Sequence, residues 1–207
     1  DVEYTVEAHI CRDIAFDIIQ TARNDGADLV LMGYPEEHPG ITEAIEYKAP
    51  CDVVFAAGFE AVDPDEIKAV TIGAGGGPHH LGSLPMVRAL AAGGAHVQVV
   101  SVIPAEGGTA ENPSDTIANF EGFDVDVTEV KAKTVADGLL EAATTEGGIL
   151  VIGASRDRRF SQLVFGSTPG RVVDRAEAAD VPVLVYASTS SVPRRIEDYL
   201  FPVYRYL

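Results

Sequence analysis

The sequence predicts an α/β protein built on a mostly parallel, buried sheet. Two observations lead there. Short runs of Val, Ile and Leu alternate with helical segments from residue 69 onward, and the elements that close this series already occur once near the amino terminus. Ile14, Ala15, Ile18, Ile19 and Ala22 recur as Val135, Ala136, Leu139, Leu140 and Ala143, 121 residues later. Their spacing of 0, 1, 4, 5 and 8 is one apolar helix face.

The second repeat reads as a full unit. Residues 69–72 form its first strand, and Gly73-Ala-Gly-Gly-Gly77-Pro78 turns the chain. A helix near 84–92 and a second strand at 97–103 follow. The polar stretch 104–121 is a loop or weak helix. A third strand near 123–130, a helix near 135–145 and a fourth strand at 149–152 come next, then a long loop, a helix near 169–179 and a fifth strand at 182–186.

The first repeat holds only counterparts of the third strand onward. Val2, Tyr4 and Val6 match Phe123, Val125 and Val127 with the period of a strand. Leu29–Gly33 matches the strand ending at Gly153, at an offset of 120, and Cys51–Phe55 matches Val181–Val185, at an offset of 130. The second repeat therefore carries ten more residues between those two strands. The expected division is a half-domain at 1–57, a linker at 58–66, a full domain at 67–188 and a tail at 189–207. The missing Met and the absent first half of repeat one suggest a piece of something longer, or a half-sheet that adds to a neighbour. The tail, with Arg194-Arg195 and Tyr199, Phe201, Tyr204 and Tyr206, either binds a partner or docks on its own domain.

The chain has 32 acidic and 15 basic residues, a net charge of −17, and only four Lys (48, 68, 131 and 133). The acids are dispersed among apolar residues, as expected of a halophilic protein working where salt shortens screening to about 3 Å. Nucleic-acid binding needs a basic footprint and is not expected. No run approaches the roughly 20 apolar residues of a membrane span, and no basic n-region marks a signal peptide. Cys11 and Cys51 fit neither a disulfide framework nor a metal site, and Cys51 reads as a small buried hydrophobe. A reducing, cytoplasmic compartment follows.

The extra residues of repeat two fall in Gly153-Ala-Ser-Arg156 and, nine residues on, Gly166-Ser167-Thr168-Pro169. A loop from a buried strand to a helix start is where an α/β fold cradles phosphate with backbone N–H groups. Repeat one places Glu36 and Glu37 opposite Gly166 and Ser167, carboxylates that would repel phosphate. Ser167 or Thr168 as N-cap with Pro169 in the first turn is compatible with the same role. Arg156, Arg158 and Arg159 form either a phosphate clamp or a solvated loop.

These residues resemble the universal stress protein family, whose nucleotide-binding members carry Gly-x2-Gly-x9-Gly-Ser/Thr between the fourth strand and the last helix. The endings Arg171-Val-Val and Val181-Pro-Val-Leu-Val are also similar, and the resemblance spans nearly the whole chain. It implies a doubly wound, five-stranded sheet of order 3-2-1-4-5, of the adenine-nucleotide α-hydrolase type. It further implies ATP or AMP, with or without Mg, at the carboxyl ends of the strands, and a homodimer or pseudo-dimer through the fifth strands. Tandem members occur alone and as cytosolic tails of transporters, including amino-acid permeases. By position, the resemblance assigns Thr71, Gly73 and Val102 near the adenine, then Ile152 and Gly153, with Gly166, Ser167 and Thr168 on phosphate. Two positions depart from the pattern. Gly73 stands where the family has an adenine-contacting Asp, and Arg156 replaces the second glycine, where it either crowds the ligand or pairs with phosphate.

Other readings are weaker. Gly-x-Gly-x-x-Gly fails at Pro78, and no acid follows the second strand to hold a ribose, so a dinucleotide fold is rejected. Adjacent His79 and His80 read as loop residues, and Glu36-Glu37-His38 as a solvated turn. Ser167 has no base, no triad spacing appears, and there is no P-loop. The sequence thus points to a nucleotide-binding regulatory module, and no activated nucleophile speaks for an enzyme. Its alternatives are an assembly module without nucleotide and a slow ATP hydrolase.

Overall fold

The computed structural model describes residues 3–34, 38–60, 62–63, 65, 67–105, 109–154 and 169–189. The half-repeat contributes α1 (Ile14–Asp25), β1 (Leu29–Gly33), α2 (Pro39–Lys48) and β2 (Asp52–Ala57). The full repeat begins with β3 (Ala69–Gly73), α3 (Pro78–Ala92), β4 (His96–Pro104), α4 (Ser114–Ala118) and β5 (Val125–Ala132). It closes with α5 (Val135–Glu146), β6 (Ile149–Gly153), α6 (Pro169–Ala178) and β7 (Val183–Ala187). All seven strands join one sheet in the order β1-β2-β7-β6-β3-β4-β5. Within the full repeat that order is third, second, first, fourth, fifth, all parallel, which is the doubly wound arrangement.

The two halves meet through their closing strands. β2 and β7 pair antiparallel, Val53 opposite Ala187 and Phe55 opposite Val185, while β1 and β2 are parallel. The central strands are buried on both faces, so they read as continuous apolar runs: β6 is Ile149-Leu150-Val151-Ile152, none more than 8% exposed.

One face of the sheet packs against α1, α2, α5 and α6 through a cluster that includes Ile19, Phe55, Leu139, Leu150 and Val173. The other face holds Val70, Ile72, Val97, Val99, Ile149 and Val151 beneath Leu84 and Val87 of α3, with Phe120 closing the edge. The repeated helices begin on side-chain caps. Asp13 accepts from the Phe16 N–H at 3.0 Å, and Thr134 accepts from the Asp137 N–H at 3.1 Å. α1 ends on Gly26, whose φ of 64° is the left-handed conformation that glycine adopts without penalty.

The structure differs from the sequence-based expectation at the amino terminus. Tyr4 and Val6 are 82% and 81% exposed and belong to no strand. Their counterparts in β5 pair with β4, and among the described residues no strand lies beside Tyr4 and Val6. Period-2 alternation without a neighbouring strand leaves the backbone groups to water.

Candidate functional site

The carboxyl ends of β3, β4 and β6 open into a cavity of about 600 Å³. This is the switch point of the fold. From β3 the chain crosses one way to β4, and from β5 it returns to the opposite side as β6, leaving a crevice above the strand ends. Val102, Leu139 and Ile152 form an apolar floor, and Gly73 through Pro78 form one wall.

Two glycines set this geometry by allowing close approach. A Cβ on Gly153 would lie 2.9 Å from the His80 backbone nitrogen and 3.1 Å from the His79 Cβ, so β6 meets the first turn of α3 only without a side chain there. A Cβ on Gly138 would press on both Val102 methyl carbons at 2.7 and 2.8 Å, so α5 lies directly on β4 at the cavity floor.

The opening turn of α3 is the polar end. Gly77 is its N-cap and makes no side-chain capping bond, and Pro78 occupies the first helical position, where its missing N–H is not needed. His79 and His80 therefore lie in a helix, not in a loop as the sequence suggested. His79 is 6% exposed and its Nδ1 accepts from the Ser188 backbone N–H at 2.9 Å. His80 meets the Thr116 hydroxyl through Nε2 at 2.9 Å, and burial pushes its pKa down, so it is neutral at pH 7. Neither brings positive charge. No Lys or Arg lines the cavity among the described residues.

One acid does line it. Glu111 reaches back from the polar stretch after β4, held by a 2.7 Å bond from the Ser101 hydroxyl to its carbonyl oxygen. Its Oε2 lies 2.9 Å from where a Cβ on Gly75 would stand, against the glycine turn. Sequence spacing marked no acid for this end of the fold because Glu111 sits in an irregular stretch, which the Ser101 bond ties to β4.

Of the residues singled out in the sequence, Gly73, Val102, Ile152 and Gly153 line the cavity. Thr71 does not: it is fully buried, and its hydroxyl donates to Gln98 Oε1 at 3.2 Å inside the sheet–helix layer. Arg156, Gly166, Ser167 and Thr168 lie outside the described residues, as do Arg158, Arg159, Glu36 and Glu37. Among the described residues no cluster could ligate a metal, and no helix is long and apolar enough to cross a membrane.

The fold is shared with solved structures. A universal stress protein from Archaeoglobus fulgidus superposes with a TM-score of 0.58 at 17% identity, over 83% of this chain and 64% of that one. The fold is of the universal stress protein type. A functionally unknown protein of Pseudomonas aeruginosa PAO1 superposes with a TM-score of 0.55 at 19% identity, over 86% of this chain and 69% of that one. The chain thus spans less than two thirds of the Archaeoglobus universal stress protein. No protein-family model and no curated protein sequence matches it.

Proposed function

We propose that the cavity binds an adenine nucleotide, ATP or AMP, and that the chain is a nucleotide-responsive regulatory module. The observation that carries this reading is the crevice itself. About 600 Å³ at the switch point has an apolar floor for a base, with polar groups at its rim. The adenine and ribose lie over Val102, Leu139 and Ile152. The Glu111 carboxylate accepts from the adenine amino group or a ribose hydroxyl, in place of the acid that Gly73 lacks. The phosphates extend toward the loop from Gly153 to Thr168, where Arg156 and the N–H groups at Gly166 and Ser167 supply what the cavity does not. Without that cationic help, phosphate beside Glu111 on a chain of net charge −17 is repelled. Mg accompanying the phosphates lowers that repulsion further.

A module of this kind acts by biasing contacts between domains or between copies of the chain, in the cytoplasm or at the cytosolic face of a membrane. An attached amino-acid transporter is one such target. Hydrolysis is not part of the proposal. Calorimetry with adenosine, AMP and Mg-ATP tests the reading. Binding of all three with Glu111-dependent affinity is expected, and no heat or thermal shift with any of them would sink it. The second reading, an assembly module without ligand, is favoured by the β2–β7 pairing, which already joins two halves through closing strands.

A further inference from the structure

His80 is held in the crevice by contacts that fix its ring and leave one ring nitrogen open. It lies in the first turn of the fifteen-residue helix α3 and lines the cavity. Its carbonyl accepts from the Ser83 hydroxyl at 2.7 Å, and Ser83 is fully buried. Its backbone stands against Gly153, where the chain leaves β6. Its Nε2 meets the Thr116 hydroxyl at 2.9 Å, and Thr116 is 1% exposed. Among the described residues its Nδ1 has no partner. A polar ring fixed at one nitrogen by a buried hydroxyl, above the apolar floor of Val102, Leu139 and Ile152, is a preorganised group for reading a ligand.

The buried partner is suited to a change of charge. A neutral imidazole donates from one nitrogen and accepts at the other, whereas an imidazolium donates from both. The Thr116 hydroxyl serves either form, donating to Nε2 in one and accepting from it in the other. His80 can therefore take a proton without stranding Thr116. In the free protein burial pushes its pKa down and keeps it neutral, and the start of a helix dipole opposes the charge further. An anion beside the ring reverses that balance.

We infer that His80 is a ligand-binding residue whose Nδ1 donates to a phosphate oxygen of the nucleotide, with uptake of one solvent proton as the phosphate arrives. This rests on the nucleotide reading of the crevice, and it gives the phosphate a positive charge that no described Lys or Arg of the cavity supplies. The titratable groups facing the same space are Glu111 and His79, whose Nδ1 already accepts from the Ser188 N–H. On α4, Asp115 precedes Thr116; on α3, Arg88 donates to the Asn119 carbonyl and lies over the Phe123 ring. β3 and β6 bring no titratable side chain, and β4 carries only His96, at its opposite end.

Calorimetry of adenosine and AMP with wild type and His80→Asn, at about pH 6 and about pH 8, tests this. The bound ring holds its proton to higher pH than the free one, so the gain in affinity appears as pH falls and is lost above the bound value. The advantage of wild type over His80→Asn for AMP is therefore expected to be roughly five- to tenfold larger at the lower pH. The second ionisation of AMP itself, at about pH 6, is common to both proteins and cancels in that ratio. Adenosine should bind the two proteins within about twofold at either pH. Should His80→Asn not fold, Thr116→Val takes its place: it leaves the ring but strands Nε2–H of the charged form, and is expected to flatten the same profile, while Thr116→Ser keeps it. An AMP ratio that does not change with pH overturns the inference alone, as does an equal loss for adenosine, which would assign His80 to the shape of the crevice. Failure of both ligands to bind wild type overturns the nucleotide reading and this inference with it.

Discussion

The Tyr186 hydroxyl donates to Asp52 Oδ2 at 2.6 Å, joining the end of β7 to the start of β2 across 134 residues of sequence. The other carboxylate oxygen accepts from the Thr189 N–H at 2.7 Å, the Thr189 hydroxyl at 2.8 Å and the Ser188 hydroxyl at 3.3 Å. Burial alone would raise the Asp52 pKa, but the bonds from Tyr186, Thr189 and Ser188 outweigh it and hold the carboxyl below its ordinary value. One acid in the half-repeat thus gathers the donors with which the full repeat ends.

Asp52→Ala is expected to destabilise the chain by about 1–3 kcal/mol, since it strands several partly buried donors. Tyr186→Phe, which removes one donor, should cost about 1 kcal/mol. The pH dependence follows from the depressed pKa. With the folded value below the unfolded one, the contribution is present above the unfolded carboxylate value and is lost as pH falls through the folded one. Chemical denaturation of wild type and Asp52→Asn should therefore diverge at pH 7 and converge in acid. An equal gap at all pH values would assign the effect to packing.

Glu46 in α2 gives the opposite sign. Burial, with the Glu43 charge beside it, pushes its pKa up from 4.5 to about 7. The fold favours the protonated acid, so Glu46 imposes no penalty below pH 4.5, and stability falls as pH rises toward 7. The loss is on the order of 3 kcal/mol, because each tenfold change in a group's acidity between the unfolded and folded chain is worth about 1.4 kcal/mol. Glu46→Gln should raise the melting temperature at pH 8 and leave it unchanged near pH 4.

Gly153→Ala tests the close approach of β6 to α3. The added methyl meets backbone at His80, which cannot rotate away, so a cost of roughly 1–3 kcal/mol is expected by differential scanning calorimetry. Nucleotide affinity should fall with it, since the crevice must widen. A melting temperature within about one degree of wild type would show that the contact relaxes freely.

Glu111→Ala separates the two ends of the proposed ligand. If the carboxylate accepts from adenine or ribose, adenosine should bind roughly tenfold more weakly, a loss of about 1.4 kcal/mol. ATP should lose less, because a repulsion on its phosphates is removed at the same time. Equal losses for both would argue against this placement.

The charge pattern predicts a salt response. With net charge −17, raising KCl from about 0.1 M to about 1 M shortens screening from about 10 Å to about 3 Å and weakens self-repulsion. The melting temperature should rise by several degrees. A flat profile would mark an ordinary acidic protein.

Much of the fold could be read from residue spacing. The paired pattern of Ile14 to Ala22 and Val135 to Ala143 located two helices, and the Val/Ile/Leu runs located the buried strands, because burial on one or both faces imposes period. Tyr4 and Val6 have that period without the fold, since a strand also needs a neighbour. His79 carried a usable sign in Pro78, a residue preferred at the first helical position, which places the helix start at 78 rather than near 84. Nothing local marks Asp52, Glu111 or Thr71. Their partners are Tyr186, the glycine turn beside Ser101, and Gln98, each placed by the tertiary path of the chain.

The antiparallel seam between β2 and β7 also sets a polarity. β1 and β2 run against the five strands of the full repeat, so Gly33 leaves the sheet at the opposite rim from Gly153. The crevice and the end of β1 therefore sit at opposite rims of one continuous sheet. Between them lies the seam, where Asp52 at the start of β2 holds the end of β7, and His79 ties that same end to the crevice wall.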